Sequence, residues 1–150
     1  MTIDDILNKL MKYCAYQERC PADIRKKVSR FKISEEATQQ VIKRLIEENY
    51  MDIGRFASAY TRGKFRQNKW GKNKISMGLR QKEIPESYIE SSLEEIPFKE
   101  YEETLKKLAT QKKKTVSGKN DFEKSQKTAA YLLGKGYESN LVWGVINKLQ

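Results

Sequence analysis

Apolar residues recur at spacings of three and four along almost the whole chain, a pattern typical of amphipathic helices. Thr2 precedes the first stripe as a candidate N-cap, Pro21 suits the first turn of a second helix, and Ser34 suits the cap of a third. The first stripe consists of Ile3, Ile6, Leu7, Leu10 and Met11. No segment shows the two-residue alternation of a half-buried strand, so the sequence predicts an all-α fold.

The apolar pattern repeats three times, with offsets of 51 and 53 residues between Ile33, Ile84 and Tyr137. Equivalent apolar residues lie five positions before this register position and four, nine and twelve positions after it. They are Val28, Leu79 and Leu132; Ala37, Tyr88 and Leu141; Ile42, Leu93 and Ile146; and Leu45, Ile96 and Leu149. Each copy therefore predicts a helix, a short turn and a second helix with an apolar stripe.

A longer helix precedes each of these pairs, at about 3–17, 52–67 and 98–114. The sequence therefore predicts three tandem three-helix repeats. Their predicted boundaries are 1–50, 51–97 and 98–150. Modules of this size are marginally stable alone, so we expect them to pack against one another in an elongated, curved array. The alternative is a single irregular nine-helix globule in which the repeat is a coincidence.

Positive charge is concentrated in the middle of the chain. The 150 residues include 30 Lys and Arg against 20 Asp and Glu, a net charge of +10, and nine of the basic residues fall between 55 and 82 with no acidic residue among them. Eight glutamates follow between 83 and 103. The cluster predicts a surface for a polyanion or an acidic protein. The alternative is a face that these glutamates neutralise internally.

The residues needed for most catalytic and metal sites are absent from the sequence. It contains no histidine, its two cysteines (Cys14 and Cys20) lack zinc-site spacing, and no glycine-rich phosphate loop occurs. We therefore expect a non-enzyme without cofactor or metal, with both cysteines as reduced, partly buried thiols. The sequence also lacks a secretory signal and an apolar run long enough to cross a membrane, which predicts a cytosolic protein.

Four aromatic residues are interleaved with the basic ones, as in surfaces that stack on single-stranded bases. Phe56 and Tyr60 share a helical stripe with Ile53, which favours packing for both. Trp70 stands beside Gly71 in the basic turn and is the aromatic residue that we expect at the surface.

The segment 48–60, with the sequence ENYMDIGRFASAY, resembles the most characteristic stretch of RecX regulatory proteins. That family typically shows Gly-Tyr-Leu-Asp-Asp-x-Arg-Phe-Ala-x-x-Tyr there. Residues 21–28 are similar to the family's helix Ser-x-x-Glu-Leu-Arg-x-x-Leu, and Trp70-Gly71 matches its glycine-containing turn. Glu83 replaces the glycine of the family's Lys-Gly-Ile, which argues against a left-handed turn residue at this position.

The resemblance implies three tandem three-helix repeats and a protein that binds the RecA–single-stranded DNA filament. It further implies inhibition of the ATPase, strand-exchange and co-protease activities of RecA, without enzymatic activity of its own. We expect a monomer whose contact surface combines the central basic run with basic residues of the first repeat. These residues are Arg25, Lys26, Lys27, Arg55, Arg62, Lys64, Arg66, Lys69, Trp70, Lys72 and Lys74.

Other interpretations of the same residues stay open at this point. Asp52 suits the N-cap of the helix that follows it and Arg55 suits a pair with Asp52, so both also fit structural roles. A helix pair at 72–80 and 85–96 superficially resembles a helix-turn-helix, but glutamates on its second helix disfavour insertion into a DNA groove. The alternatives are sequence-tolerant DNA binding without RecA, driven by phosphate contacts, and an adaptor for acidic proteins.

Overall fold

A computed structural model describes residues 2–149, and these residues form nine α-helices and no strand. The helices are α1 (Ile3–Tyr16), α2 (Pro21–Val28), α3 (Glu35–Glu47), α4 (Ile53–Arg66), α5 (Lys72–Gln81), α6 (Glu86–Glu94), α7 (Phe98–Thr115), α8 (Asp121–Gly134) and α9 (Ser139–Lys148). A 3₁₀ turn at Ser29–Phe31 follows α2. The all-α prediction is confirmed. The bounds of α1, α4 and α7 agree with the predicted long helices to within one residue.

Short polar side chains cap the helices where the sequence predicts them. The amide of Asp5 donates to Thr2 Oγ1 at 3.1 Å, and the amide of Thr2 donates back to Asp5 Oδ2 at 3.0 Å. The Ser34 hydroxyl accepts from the amide of Ala37 at 3.0 Å, which begins α3. These caps satisfy amides that have no partner within their own helix.

The three repeats share a left-handed turn residue immediately before the register position. Lys32, Glu83 and Gly136 have φ angles of 53°, 63° and 100°. The expectation that Glu83 excludes a left-handed turn is therefore wrong. The amide of Ile84 donates to the carbonyl of Leu79 at 3.1 Å, and burial of the Ile84 side chain holds this turn closed although the turn residue is not glycine.

Most of the predicted apolar register positions lie in the core. The position four residues after the register residue is an exception, because the buried residue there is the next one along the chain. Tyr88, placed in the apolar stripe from its position four residues after Ile84, is 44 % exposed. The buried residues of this helix turn are the next ones along in each repeat: Thr38, Ile89 and Val142. The predicted stripe is therefore displaced by one residue at this position, whereas Ile42, Leu45, Ile96 and Ile146 are buried where the sequence predicts them.

The described chain divides into two compact units. The first unit runs to Ala59 and includes Leu79–Ser92; the second comprises Tyr60–Gly78 and the chain from Leu93 onward. In the second unit, α7, α8 and α9 pack together. The boundaries of the three repeats and their elongated, curved arrangement stay predictions.

Both cysteines are buried free thiols. Cys14 lies in α1, whereas Cys20 precedes α2 as its N-cap residue. Burial raises the pKa of Cys20 to about 11 and also raises that of Cys14, so neither thiol is activated as a thiolate. Within residues 2–149, no helix is long and apolar enough to span a bilayer, and no cluster of acidic or cysteine side chains is arranged to hold a metal ion.

Candidate functional site

Seven of the predicted contact residues lie in the second unit, on the end of α4, the turn that follows it and the start of α5. We call this set the Trp70 surface. It consists of Arg62, Lys64, Arg66, Lys69, Trp70, Lys72 and Lys74. The turn is closed at Lys69, whose φ is 59° and whose amide donates to the carbonyl of Phe65 at 3.0 Å. This left-handed residue ends α4 and directs the next helix away from it.

Two lysines lie against the indole of Trp70. The Lys64 Nζ is 4.8 Å and the Lys74 Nζ 4.6 Å from the ring centroid. Lys64 also lies 5.5 Å from the ring of Tyr60. Cation–π attraction therefore gathers ammonium groups from α4 and α5 around one half-buried aromatic ring.

Most of the charge on this surface is not neutralised by carboxylates. Arg66 pairs with Glu100 at 3.6 Å. The other five cations have no carboxylate within 4 Å among residues 2–149: Arg62, Lys64, Lys69, Lys72 and Lys74. The glutamates of segment 83–103 thus pair with Arg66 and Arg80, through Glu100 and Glu86. They leave a cationic surface around Trp70.

The turn between α4 and α5, residues 67–71, is the basic turn. It is attached to the turn between α8 and α9 at two glycines, Gly71 and Gly136. The amide of Gly71 donates to the carbonyl of Lys135 at 2.8 Å, and the amide of Asn73 donates to the carbonyl of Gly136 at 2.9 Å. A Cβ on Gly71 would lie 2.4 Å from the Gly136 carbonyl carbon, so the two backbones are too close for any side chain at this position. We call this the glycine contact.

Two buried tyrosines complete the attachment. The Tyr137 hydroxyl donates to the carbonyl of Lys69 at 2.8 Å, and the Tyr101 hydroxyl accepts from the amide of Lys72 at 2.9 Å while donating to Glu138. Their ring centroids are 5.2 Å apart. Burial raises the pKa of both phenols far above the ordinary value, which keeps them protonated as donors.

This attachment determines how the Trp70 surface can meet an anion. The amides of Gly71, Lys72 and Asn73, at the start of α5, all donate to acceptors of the protein. The N-terminus of α5 therefore has these donors already occupied, and contacts to an anion fall to the lysine and arginine side chains.

The predicted contact residues of the first unit have different surroundings. Arg25 pairs with Glu35 and, at 2.7 Å, with Glu83, and the pKa of its guanidinium is raised by these carboxylates. Lys27 lies 5.0 Å from the ring centroid of Tyr13, and Lys26 is exposed. Arg25 is thus engaged in ion pairs, whereas Lys26 and Lys27 have no carboxylate partner among the described residues.

Arg55 is likewise held by carboxylates. Its side chain pairs with Glu18 and, at 3.7 Å, with Asp52, and hydrogen bonding to Glu18 raises its pKa. Asp52 Oδ1 accepts from the amide of Arg55 at 2.8 Å, which confirms its predicted capping role. The structural interpretation therefore accounts for both residues of this pair.

Sequence reasoning did not identify Tyr101, Tyr137 and Glu138 as residues that position the site. Tyr137 was assigned to an apolar register position, and nothing local connects it to Lys69, which is 68 residues away. Gly71 and Gly136 were the residues in the sequence that could have indicated this contact, since glycine is needed where two backbones approach closely.

The sequence of the chain matches two family models. The one described as "RecX, second three-helix domain" matches residues 54–93, and the one described as "RecX, third three-helix domain" matches residues 100–146. Together they cover more than half of the chain. The chain belongs to the RecX family. The Trp70 surface lies within the matched second domain, whereas Tyr101 and Tyr137 lie in the third.

Relatives of the RecX family match most of this chain. "Regulatory protein RecX" of Lactobacillus johnsonii is 31% identical over 143 residues, covering 95% of this chain and 53% of the relative. The protein of the same name from Prosthecochloris aestuarii is 28% identical over 144 residues, covering 95% of this chain and 92% of the relative. This chain thus spans about half the length of several curated relatives that it matches, among them the one from Oceanobacillus iheyensis at 50%.

Solved RecX structures have the same fold. A crystal structure of regulatory protein RecX aligns with a TM-score of 0.87 at 26% identity, over 97% of this chain and 73% of that one. RecX from Lactobacillus salivarius aligns with a TM-score of 0.85 at 24% identity, over 98% and 96% of the two chains. The prediction of a helical-repeat fold is confirmed, and the names of the relatives assign the family a regulatory role.

Proposed function

We propose that this chain is a regulator of DNA repair that binds the RecA–single-stranded DNA filament and inhibits the ATPase, recombinase and co-protease activities of RecA. The regulatory role of the RecX family supports this proposal. The observation that carries it is the group of five cations around Trp70 that have no carboxylate within 4 Å in the described part of the chain. In this proposal the chain acts as a cytoplasmic monomer, by binding rather than by catalysis, and needs no cofactor.

The Trp70 surface is suited to a nucleic-acid filament because its cationic side chains can contact phosphates. Ammonium and guanidinium groups contact phosphates with little dependence on base sequence. Lys69, Lys72 and Lys74 come from a turn and a helix start whose backbone is tied to the third repeat. These cations are therefore presented from a rigid backbone, which lowers the conformational entropy lost on binding.

The first experiment is a titration of RecA ATPase on single-stranded DNA, starting far below one molecule of this chain per RecA. Filament action predicts inhibition at these low ratios, where far too little of this chain is present to cover the DNA. Inhibition that begins only when the DNA is saturated with this chain would contradict the proposal, because it would indicate competition for DNA.

A double charge reversal tests whether the Trp70 surface carries the activity. Arg62→Glu with Lys64→Glu should abolish RecA inhibition, because it places two carboxylates where the proposal needs phosphate contacts. Helical circular dichroism and the thermal unfolding midpoint should stay close to those of the parent protein, since Arg62 is exposed and Lys64 lies at the surface of α4.

The matched control is Lys119→Glu with Lys148→Glu. Both residues are exposed, lie outside the Trp70 surface, and the change lowers the net charge from +10 to +6, as in the test variant. The control should keep inhibition within about twofold. Full inhibition by the Arg62 and Lys64 variant would remove this surface from the mechanism.

A second candidate is sequence-tolerant DNA binding without RecA contact, which the same five cations favour. Reading of a groove by α6 is disfavoured, because this helix exposes Glu90 and Glu94. Equal affinity for DNA alone and for the RecA filament, measured by fluorescence anisotropy, would favour this candidate over filament regulation.

A further inference from the structure

Trp70 differs from the buried aromatic cluster of the second unit, which consists of Phe65, Tyr101 and Tyr137. Phe65, Tyr101 and Tyr137 are 3 %, 1 % and 1 % exposed, with ring centroids within 5.8 Å of a neighbour in the cluster. Trp70 is only half-buried and has lysine ammonium groups against its ring. Packing of the core therefore accounts for the three buried rings but not for the accessible indole.

The backbone on both sides of Trp70 is fixed. Its own amide donates to the carbonyl of Lys64 at 3.1 Å. The preceding residue, Lys69, is held through its carbonyl by Tyr137, and the following residue, Gly71, is held through its amide by Lys135. An aromatic side chain on so constrained a segment loses little freedom when a flat partner stacks on it.

We infer that Trp70 is a stacking platform for an unpaired nucleobase of single-stranded nucleic acid, with Lys64 and Lys74 binding the phosphates on either side of that base. The inference rests on the proposed function for the class of ligand and deepens it by naming the residue that recognises bases. In the free protein the two ammonium groups cover the indole; in the complex the base takes their place.

The chemistry of the three side chains supports this exchange. A lysine ammonium is held over an accessible ring only weakly, and its flexible stem lets it turn toward a phosphate while remaining near the ring. A nucleobase presents an extended flat face to the indole and stacks without regard to its identity. Bases of a duplex are already stacked on one another, so the platform selects single strands.

The test uses the intrinsic fluorescence of Trp70. The chain has two tryptophans, so Trp143→Phe leaves Trp70 as the sole emitter. This variant is titrated with an oligodeoxythymidylate of twenty nucleotides and with an abasic oligomer of the same length. Quenching by the thymidylate that exceeds quenching by the abasic oligomer at least threefold, at equal saturation, is the expected result. Equal quenching by the two, or none, would overturn the inference.

Binding measurements in the parent background provide a second test that does not depend on the Trp143 variant. Trp70→Ala should weaken thymidylate binding about tenfold and leave binding of the abasic oligomer unchanged, since only the stacked base is lost. Trp70→Phe keeps an aromatic ring and should recover most of the affinity. Equal weakening for both oligomers would identify Trp70 as a structural residue and overturn the inference.

The outcomes separate this inference from the proposed function. Base-dependent quenching in a protein that fails to inhibit RecA would uphold the stacking platform and overturn the proposed function. Inhibition of RecA without base-dependent quenching would support the proposed function and overturn the stacking platform. A change in Trp70 emission on adding RecA alone, with no response to thymidylate, would assign Trp70 to a protein contact and overturn the inference.

Discussion

Between residues 2 and 149, four residues other than glycine have left-handed backbone conformations: Lys32, Asn49, Lys69 and Glu83. Such a residue costs roughly 1–2 kcal/mol in steric strain, which the rest of the fold must compensate. Two of them, Lys32 and Glu83, occupy the same turn position as Gly136 in the third repeat. The strain at these positions therefore follows from the repeat, and replacement by glycine offers a way to measure it.

We expect Lys32→Gly to raise the free energy of unfolding by about 0.5–1 kcal/mol, because relief of the left-handed strain exceeds the added entropy of the unfolded chain. Lys32 is exposed, so little contact is lost. Glu83→Gly should gain less, since it also removes the contact of Glu83 with Arg25. Urea denaturation measures both; a loss of stability in Lys32→Gly would contradict this account.

At the scale of elements, the glycine contact joins the start of α5 to the turn between α8 and α9. This turn presents two carbonyl acceptors to amides of the basic turn, and the two tyrosines add hydroxyl bonds from α7 and from the same turn. The Trp70 surface therefore depends on the third repeat for its backbone geometry. Disruption of the contact should affect stability and binding together.

Gly71→Ala should lower the free energy of unfolding by about 2 kcal/mol or more, because the new methyl would collide with the backbone of Gly136. Gly63→Ala is the matched control. A Cβ at Gly63 in α4 meets nothing within 4 Å, so this change should stabilise the chain by about 0.5–1 kcal/mol. The pair is compared by urea denaturation; a Gly71→Ala protein as stable as the parent would disprove the close approach.

At the scale of the whole molecule, nearly all of the excess positive charge falls between residues 55 and 82; the rest of the chain has 21 basic and 20 acidic residues. Carboxylates engage part of this charge, at Arg55, Arg66 and Arg80. Of the six basic residues that remain, five lie on the Trp70 surface and the sixth is Lys82. Binding to nucleic acid should therefore depend steeply on salt, as counterions leave the phosphates.

We expect the logarithm of the association constant for single-stranded DNA to fall with the logarithm of salt concentration, with a slope of about −3.5 if five cations each neutralise one phosphate. The Arg62→Glu and Lys64→Glu variant should reduce the magnitude of the slope by about 1.4 or more, whereas Lys119→Glu with Lys148→Glu should leave it unchanged. Anisotropy titrations at several salt concentrations measure the slope; a value near zero would exclude phosphate contacts.

The sequence predicts which residues make up the candidate site, but not which of them are paired with other side chains. The grouping of basic residues, the surface position of Trp70 and the capping role of Asp52 all follow from neighbours close along the chain. The engagement of Arg25 with Glu83 was not predictable, because these residues lie 58 positions apart. Which cations stay unpaired is a property of the fold rather than of the charge pattern.

The sequence by itself determined the helices, their caps, the threefold repeat and the family, because periodicity and capping depend on residues three or four positions apart. Only the tertiary structure decided that Glu83 takes a left-handed turn and that Ile89, not Tyr88, enters the core. It alone brought Tyr137 to Lys69 and Tyr101 to Lys72, across 68 and 29 residues. Such contacts depend on how packed helices fit together, which no local pattern encodes.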